Sequence, residues 1–251
     1  MRAFVLAVLA LIALVHRAQA DSVSRETLPF EGRERSFCLF RPDLNSAPAP
    51  LVVLLHGSGG TGALMVQRWH ALAAQEHLVL AAPDSLHSAD GWNIRDDGPG
   101  FVHAVIAAAA EKHPVDFRRI YLFGQSGGAV YALTLGMLES EYFAAVAFHA
   151  GGWRHAAEYR ATAYARRKIP IAMFVGDRDE YFSLDSVRAT ERVLREQGFP
   201  AELHTLPGRR HAYADVPDDF HDTVWRFLQA NSLAEAPKFA PYRLGAGATG
   251  P

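Results

Sequence analysis

The chain has 251 residues, 49% of them apolar and 21% charged, with a formal net charge of −2. That length suits one domain with a large core, and that composition excludes a disordered or fibrous chain. No basic stripe or long like-charge block is present, so a nucleic-acid partner is not expected.

The first twenty residues stand apart. Arg2 precedes an unbroken apolar run over residues 3–15, too short to span a bilayer comfortably. His16 and Arg17 interrupt it, and Ala18-Gln19-Ala20 supplies the small-x-small pattern that signal peptidase reads. The expectation is a signal peptide over residues 1–20, a secreted or periplasmic location, and no stable membrane insertion after cleavage. Cys38 is the only cysteine, so no internal disulfide can form. It falls in an alternating stretch, where it is expected to pack as a small apolar residue.

Residues 28–42 read as a hairpin turning at Glu31-Gly32. Residues 45–50 form a loop, and the apolar run 51–55 has the composition of a buried parallel strand. A helix over 63–76 and a strand over 78–82 follow, the latter stopped by Pro83. A long polar loop, 85–100, holds Trp92. Phe101, Val102, Val105, Ile106 and Ala109 then repeat at helical spacing. Strands are expected at 120–123, 144–148, 169–175 and 201–206, and helices at 127–138, 184–197 and 218–230. Alternating strands and helices imply an α/β fold: a mostly parallel central sheet with helices on both faces. One domain is expected over 21–230, and residues 231–251, rich in Ala, Gly and Pro, read as a loosely structured tail.

Gly124-Gln125-Ser126-Gly127-Gly128 fits Gly-x-Ser-x-Gly and lies between an apolar strand and an apolar helix. A serine on such a strand-to-helix turn is forced out at the sheet edge, and the flanking glycines remove side chains that would collide there. Ser126 is therefore the candidate nucleophile. In this arrangement the chain order is serine, acid, histidine. Asp177 and Asp179 compete after the strand ending near Val175. Asp179 is preferred, because two residues into the loop a carboxylate can turn back over the sheet edge, while Asp177 would cap the loop or pair with Arg178. His211, in the loop after the last strand, suits a general base. His204 reads as structural, and His221 as a surface residue of the last helix.

His56-Gly57-Ser58-Gly59-Gly60 follows the first buried strand. It offers backbone N–H groups with little cover, as an oxyanion hole requires. One donor is assigned to Ser58 N–H and the other to Gly127 N–H. The loop lacks the Lys-Ser/Thr ending of a P-loop and the spacing of a dinucleotide fingerprint, so no cofactor is expected. No metal constellation is read either. Asp96-Asp97 could hold a cation, but is read as capping the helix beginning near Pro99. Trp92, Trp153 and Tyr181 are balanced between a substrate-binding aromatic pocket and plain core or rim positions.

Together these residues resemble the α/β-hydrolase superfamily. Within it they are similar to the secreted feruloyl esterase and polyhydroxybutyrate depolymerase-like group. The resembling segments are Leu54-Leu55-His56-Gly57, Gly91-Trp92-Asn93, residues 97–102, 115–121 and 143–151, and the Ser126 turn. The resemblance implies ester hydrolysis by a Ser-Asp-His triad, with Asp179 standing three residues after Gly176. Many members carry a cysteine where Ser58 stands, and disulfides that one cysteine cannot build. No polymer-binding module is appended, which favours small-molecule or oligomeric esters over insoluble polyester. The alternatives are a secreted serine peptidase on the same fold and a non-catalytic binding relative.

Overall fold

Residues 22–42 and 47–239 are described by the structure, a computed structural model. The expected signal segment, residues 43–46 and residues 240–251 lie outside them.

Glu31 and Gly32 both take left-handed backbone, with φ of 47° and 75°. A two-residue turn of this kind matches the twist of paired strands. It joins β1 (Ser22–Phe30) to β2 (Arg33–Arg41), with Phe30 opposite Arg33. β1 begins well before residue 28, because an edge strand half in water needs no apolar run. β3 (Ala49–Leu55), β4 (Val79–Pro83), β5 (Val115–Gln125), β6 (Ala145–His149), β7 (Ile171–Gly176) and β8 (Ala201–Leu206) complete one sheet. Its order is β1-β2-β4-β3-β5-β6-β7-β8, antiparallel at β1-β2-β4 and parallel beyond.

The helices are α1 (Gly62–Glu76), α2 (Ile94–Asp97), α3 (Pro99–Lys112), α4 (Gly127–Leu138), α5 (Ala156–Tyr159), α6 (Leu184–Glu196) and α7 (Phe220–Gln229). The strands alternate side chains between two cores. Leu51, Val53, Leu55 and Leu122 pack against Phe101 of α3, Leu133 of α4 and Leu194 of α6. Val52, Leu54, Tyr121 and Phe123 pack against Met65 and Trp69 of α1 and Phe220 and Leu228 of α7. Central strands buried on both faces must be apolar throughout, which is why 51–55 reads as one continuous run. None of the helices among the described residues is long and apolar enough to cross a membrane.

The chain runs from β3 to β4, then crosses back to β5 on the other side of β3. Winding reverses there, and in open α/β sheets the C-terminal ends of the strands at such a reversal are where ligands bind. A polar scaffold holds the next loop in place. Arg35 and Asp97, 3% and 1% exposed, form a 2.5 Å ion pair. Arg35 also donates to the Asp84 and Asp96 carbonyls and lies 3.6 Å over the Phe101 ring. Asp97 accepts the N–H groups of Leu86 and Asn93, and the Tyr131 hydroxyl donates to its carbonyl. The expected cap is thus corrected. Asp97 spends its carboxylate on Arg35 and this loop, and α3 has Gly98 as its N-cap with no side-chain cap. Among the described residues no cluster of His, Cys, Asp or Glu could hold a metal ion.

The expected loose tail is docked over its first part. Leu233 is buried and exchanges hydrogen bonds with Arg118, the Asn231 carbonyl accepts from the Tyr121 hydroxyl, and Phe239 stacks on His103 at 3.8 Å. Apolar anchors spaced along a Pro- and Ala-rich segment suffice to hold it without a helix or strand.

Candidate active site

β5 ends at Gln125, and Ser126 turns the chain into α4 with φ of 53° and ψ of −118°. This is a conformation that a residue with a Cβ rarely adopts, and such strain persists only where surroundings enforce it. They do so here. The Ser126 N–H donates to the His149 carbonyl at 3.0 Å, and its own carbonyl accepts from Ala129 and Val130. A side chain at Gly124 would collide with the Gly128 backbone, and one at Gly128 with the carbonyls of Leu55 and His56. The two glycines are therefore the space into which the turn closes.

His211 comes from the loop after β8. Its Nε2 lies 2.8 Å from Ser126 Oγ, and its Nδ1 lies 3.0 and 3.1 Å from the two Asp179 oxygens. Asp179 is fully buried as a side chain. Its Oδ1 also accepts the N–H groups of Tyr181 and Phe182, at 2.8 and 2.7 Å. Burial works to raise its pKa. The hydrogen bonds from His211, Phe182 and Tyr181 outweigh burial and hold it below the usual carboxylate range. A carboxylate facing Nδ1 fixes the proton on that nitrogen and leaves Nε2 free to accept. Asp177 faces away: it is exposed and accepts the Gly208 N–H at 2.7 Å. Ser126, His211 and Asp179 are thus brought into one line, with Asp177 left to brace the histidine loop.

The glycine loop after β3 lies across Ser126. A Cβ at Gly57 would sit 3.2 Å from Ser126 Cβ, and one at Gly127 would sit 3.5 Å from the Ser58 nitrogen. The Ser58 nitrogen thus lies beside Gly127, and the N–H of neither residue donates to a protein acceptor among the described residues. His56 holds this loop. Its Nε2 accepts the Ser85 N–H at 3.1 Å, so Nδ1 carries the proton donated to the Gly57 carbonyl at 2.8 Å. Burial lowers its pKa, in the same sense as this pairing of a neutral ring.

The three aromatic candidates part company. Tyr181 is 64% exposed, with its ring 4.7 Å from that of His211. Trp92 is half-buried, stacked on Tyr131, and donates to the His56 carbonyl at 2.7 Å. Trp153 takes the core reading of its two: it is 1% exposed and its indole donates to Thr134.

Several supporting residues carry no local signature. Trp69 donates to the Tyr213 hydroxyl at 2.8 Å, which leaves that hydroxyl to donate to His221 Nε2 at 2.9 Å. Tyr213 follows His211 by two residues, so this chain of bonds ties the histidine loop to α1 and α7. His221 is corrected from a surface residue: it packs against Trp69 and Phe220, and burial pushes its pKa down to about 4. His149 is fully buried with both ring nitrogens unpartnered. Burial, with His211 nearby, pushes its pKa down to about 4 as well. His204 stacks on Phe174, as a strand residue should.

The fold that carries this site is shared with known proteins. Residues 81–234, more than half of the chain, match the dienelactone hydrolase family. That span includes Ser126, Asp179 and His211. NocK of Nocardia uniformis subsp. tsuyamanensis, named as an esterase, is 29% identical over 184 residues. The match covers 68% of this chain and 52% of NocK, so the chain spans about half the length of that curated relative. An S-formylglutathione hydrolase from Agrobacterium tumefaciens superposes with a TM-score of 0.64 at 16% identity, over 84% of this chain and 95% of that one. A ferulic acid esterase gives 0.62 at 17%, over 83% and 96%. Esterase PE8 gives 0.61 at 22%, over 83% and 99%. These likenesses fix the fold, and the match over 81–234 fixes the family: the chain belongs to the dienelactone hydrolase family, hydrolases of the α/β-hydrolase fold.

Proposed function

We propose that the protein hydrolyses carboxylic esters through an acyl-enzyme on Ser126. The observation that carries this reading is the unbroken line Ser126 Oγ, His211 and Asp179, with contacts of 2.8 and 3.0 Å, on a serine held at positive φ. His211 Nε2 takes the Ser126 proton as the oxygen attacks the ester carbonyl. Asp179 keeps the proton on Nδ1 and stabilises the imidazolium. The N–H groups of Ser58 and Gly127 receive the oxyanion. The imidazolium returns its proton to the departing alcohol. Water, deprotonated by the same nitrogen, then releases the acid and restores Ser126.

The substrates proposed are small-molecule or oligomeric esters, reached after export to the periplasm or medium with Asp21 as the mature N-terminus. Tyr181, exposed beside His211, is the aromatic proposed to meet them. The test is a fluorophosphonate probe with a panel of p-nitrophenyl esters, methyl ferulate and a peptide amide. Ser126 should take the label, and Ser126→Ala should lose ester turnover by about a thousandfold or more. Label on another residue, with full turnover in Ser126→Ala, would overturn the reading. Faster cleavage of the amide than of every ester would overturn the ester assignment alone.

A further inference from the structure

The glycine loop presents more than a backbone to the oxyanion space. Ser58 Oγ lies 2.9 Å from the position a Cβ would take on Gly127, and 2.9 Å from that on Gly91. The Ser58 nitrogen lies 3.5 Å from the same Gly127 position. Nitrogen and hydroxyl of one residue therefore border one face of Gly127, at the head of α4. Gly91 has φ of 92°, a backbone that favours glycine, and like Gly127 it leaves the hydroxyl the room a side chain would fill. The peptide joining Gly57 to Ser58 rides over the nucleophile, with the Gly57 Cβ position 3.2 Å from Ser126 Cβ.

Ser58 is exposed, and its hydroxyl is committed to no protein partner. It makes no hydrogen bond to a protein group among the described residues, while two loop neighbours are engaged: Gly59 N–H donates to the Ser88 carbonyl and Gly60 N–H to that of Gly57. No histidine is bonded to it, so nothing would take its proton, and it is suited to donate a hydrogen bond rather than to attack.

Resting on the acyl-enzyme reading above, we propose that the Ser58 side chain is a third oxyanion donor. Its hydroxyl rotates onto the carbonyl oxygen as that oxygen gains charge, beside the N–H groups of Ser58 and Gly127. The hydroxyl keeps its proton throughout, and the oxyanion collapses by expelling the alcohol, so no further reactant is involved. A neutral donor aimed where charge develops acts on the transition state and hardly on the bound ester. Ser58 is then a catalytic residue by its side chain as well as its backbone.

The experiment removes the hydroxyl and keeps the N–H, with Ser58→Ala and Ser58→Gly in the full chain. The expected result is a fall in kcat of about tenfold or more, toward the hundredfold to thousandfold that loss of one such donor costs, with KM within about twofold. A trifluoromethyl ketone, which forms a tetrahedral adduct on the nucleophile, should lose affinity by the same factor. The product carboxylate should bind as before, and melting temperatures should stay close to wild type. A kcat loss below tenfold, or a change confined to KM, overturns the third donor. Ser126→Ala read in parallel separates the two ideas. If it is inactive while Ser58→Ala is not impaired, only the third donor fails. If Ser126→Ala keeps full turnover, the acyl-enzyme reading fails first.

Discussion

Replacing Asp179 by Asn tests the acid of the proposed triad with almost no change of shape. Oδ1 holds the Tyr181 and Phe182 N–H groups at 2.8 and 2.7 Å, and an amide oxygen can keep both. The amide nitrogen must then take the other position, facing His211 Nδ1, where Oδ2 now stands at 3.0 Å. It is a donor, so it demands a bare Nδ1 and drives the ring proton to Nε2, toward Ser126 Oγ. The nucleophile then has no base. A wrong tautomer of this kind costs about ten-thousandfold in kcat, equivalent to about 5.5 kcal/mol of barrier. Asp177→Asn is the control. Its Oδ1 accepts only the Gly208 N–H, at an exposed position. An amide oxygen replaces it there, so turnover should stay within about threefold and stability within about 1 kcal/mol. The assay is p-nitrophenyl acetate turnover with melting curves as the check on folding. If Asp177→Asn is the inactive variant and Asp179→Asn turns over normally, the reasoning from hydrogen-bond geometry is wrong.

Asp97→Ala should destabilise the fold by about 3–5 kcal/mol, because it leaves the buried Arg35 charge unpaired; chemical denaturation measures this, and a loss under about 1 kcal/mol would refute it. Tyr213→Phe strands the Trp69 N–H and His221 Nε2 together, so it should cost about 1–3 kcal/mol per stranded group, and refolding curves within error of wild type would count against that network. His149 and His221 have folded pKa values pushed down to about 4, so the unfolded chain binds protons that the folded one refuses. Stability is therefore full above about pH 6.5 and falls as pH drops toward 4, and His149→Phe should flatten that slope in melting curves taken across the range. Burial raises Glu139 to about 7, which works in the opposite sense: its contribution is whole below about pH 4.5 and lost as pH rises through 7, so Glu139→Gln should remove a stability loss on the neutral side.

What the sequence discloses follows from how locally each feature is encoded. β8 matches its expected bounds, 201–206, and α4 matches 127–138, because apolar spacing and glycine punctuation lie within the elements themselves. β5 was legible only over 120–123, yet it runs from Val115. Its first half carries Asp116, Arg118 and Arg119, and reaches the sheet through a register shift opposite Ala49 and Leu51. Polar residues at the irregular end of a strand contradict the apolar run that a buried strand otherwise displays. The short helix α2 hides in the same way inside a polar loop. The Ser126 turn is at the other extreme: five consecutive residues specify it, and the strained φ follows from a strand meeting a helix with no residue to spare.

The residues that hold the site in place lie at the far end of that scale. Arg35 and Asp97 are separated by 62 positions, and Trp69 and Tyr213 by 144. No periodicity links such partners, and each looks like an ordinary charged or aromatic residue within its own element. Their importance arises only when the fold removes water from both. A lone buried Asp97 carboxylate or Tyr213 hydroxyl would cost more than it contributes, so burial itself selects the distant partner. The histidines show the same dependence. His211 could be placed by chain order, because its role requires the loop after the last strand. His221 could not, because its position in α7 is covered by Trp69 of α1 and by Tyr213, which the fold brings there from elsewhere. The residues of the proposed triad are therefore written in a short motif and in chain order, while the pressure that keeps them aligned is written in pairs whose members meet only in the folded chain.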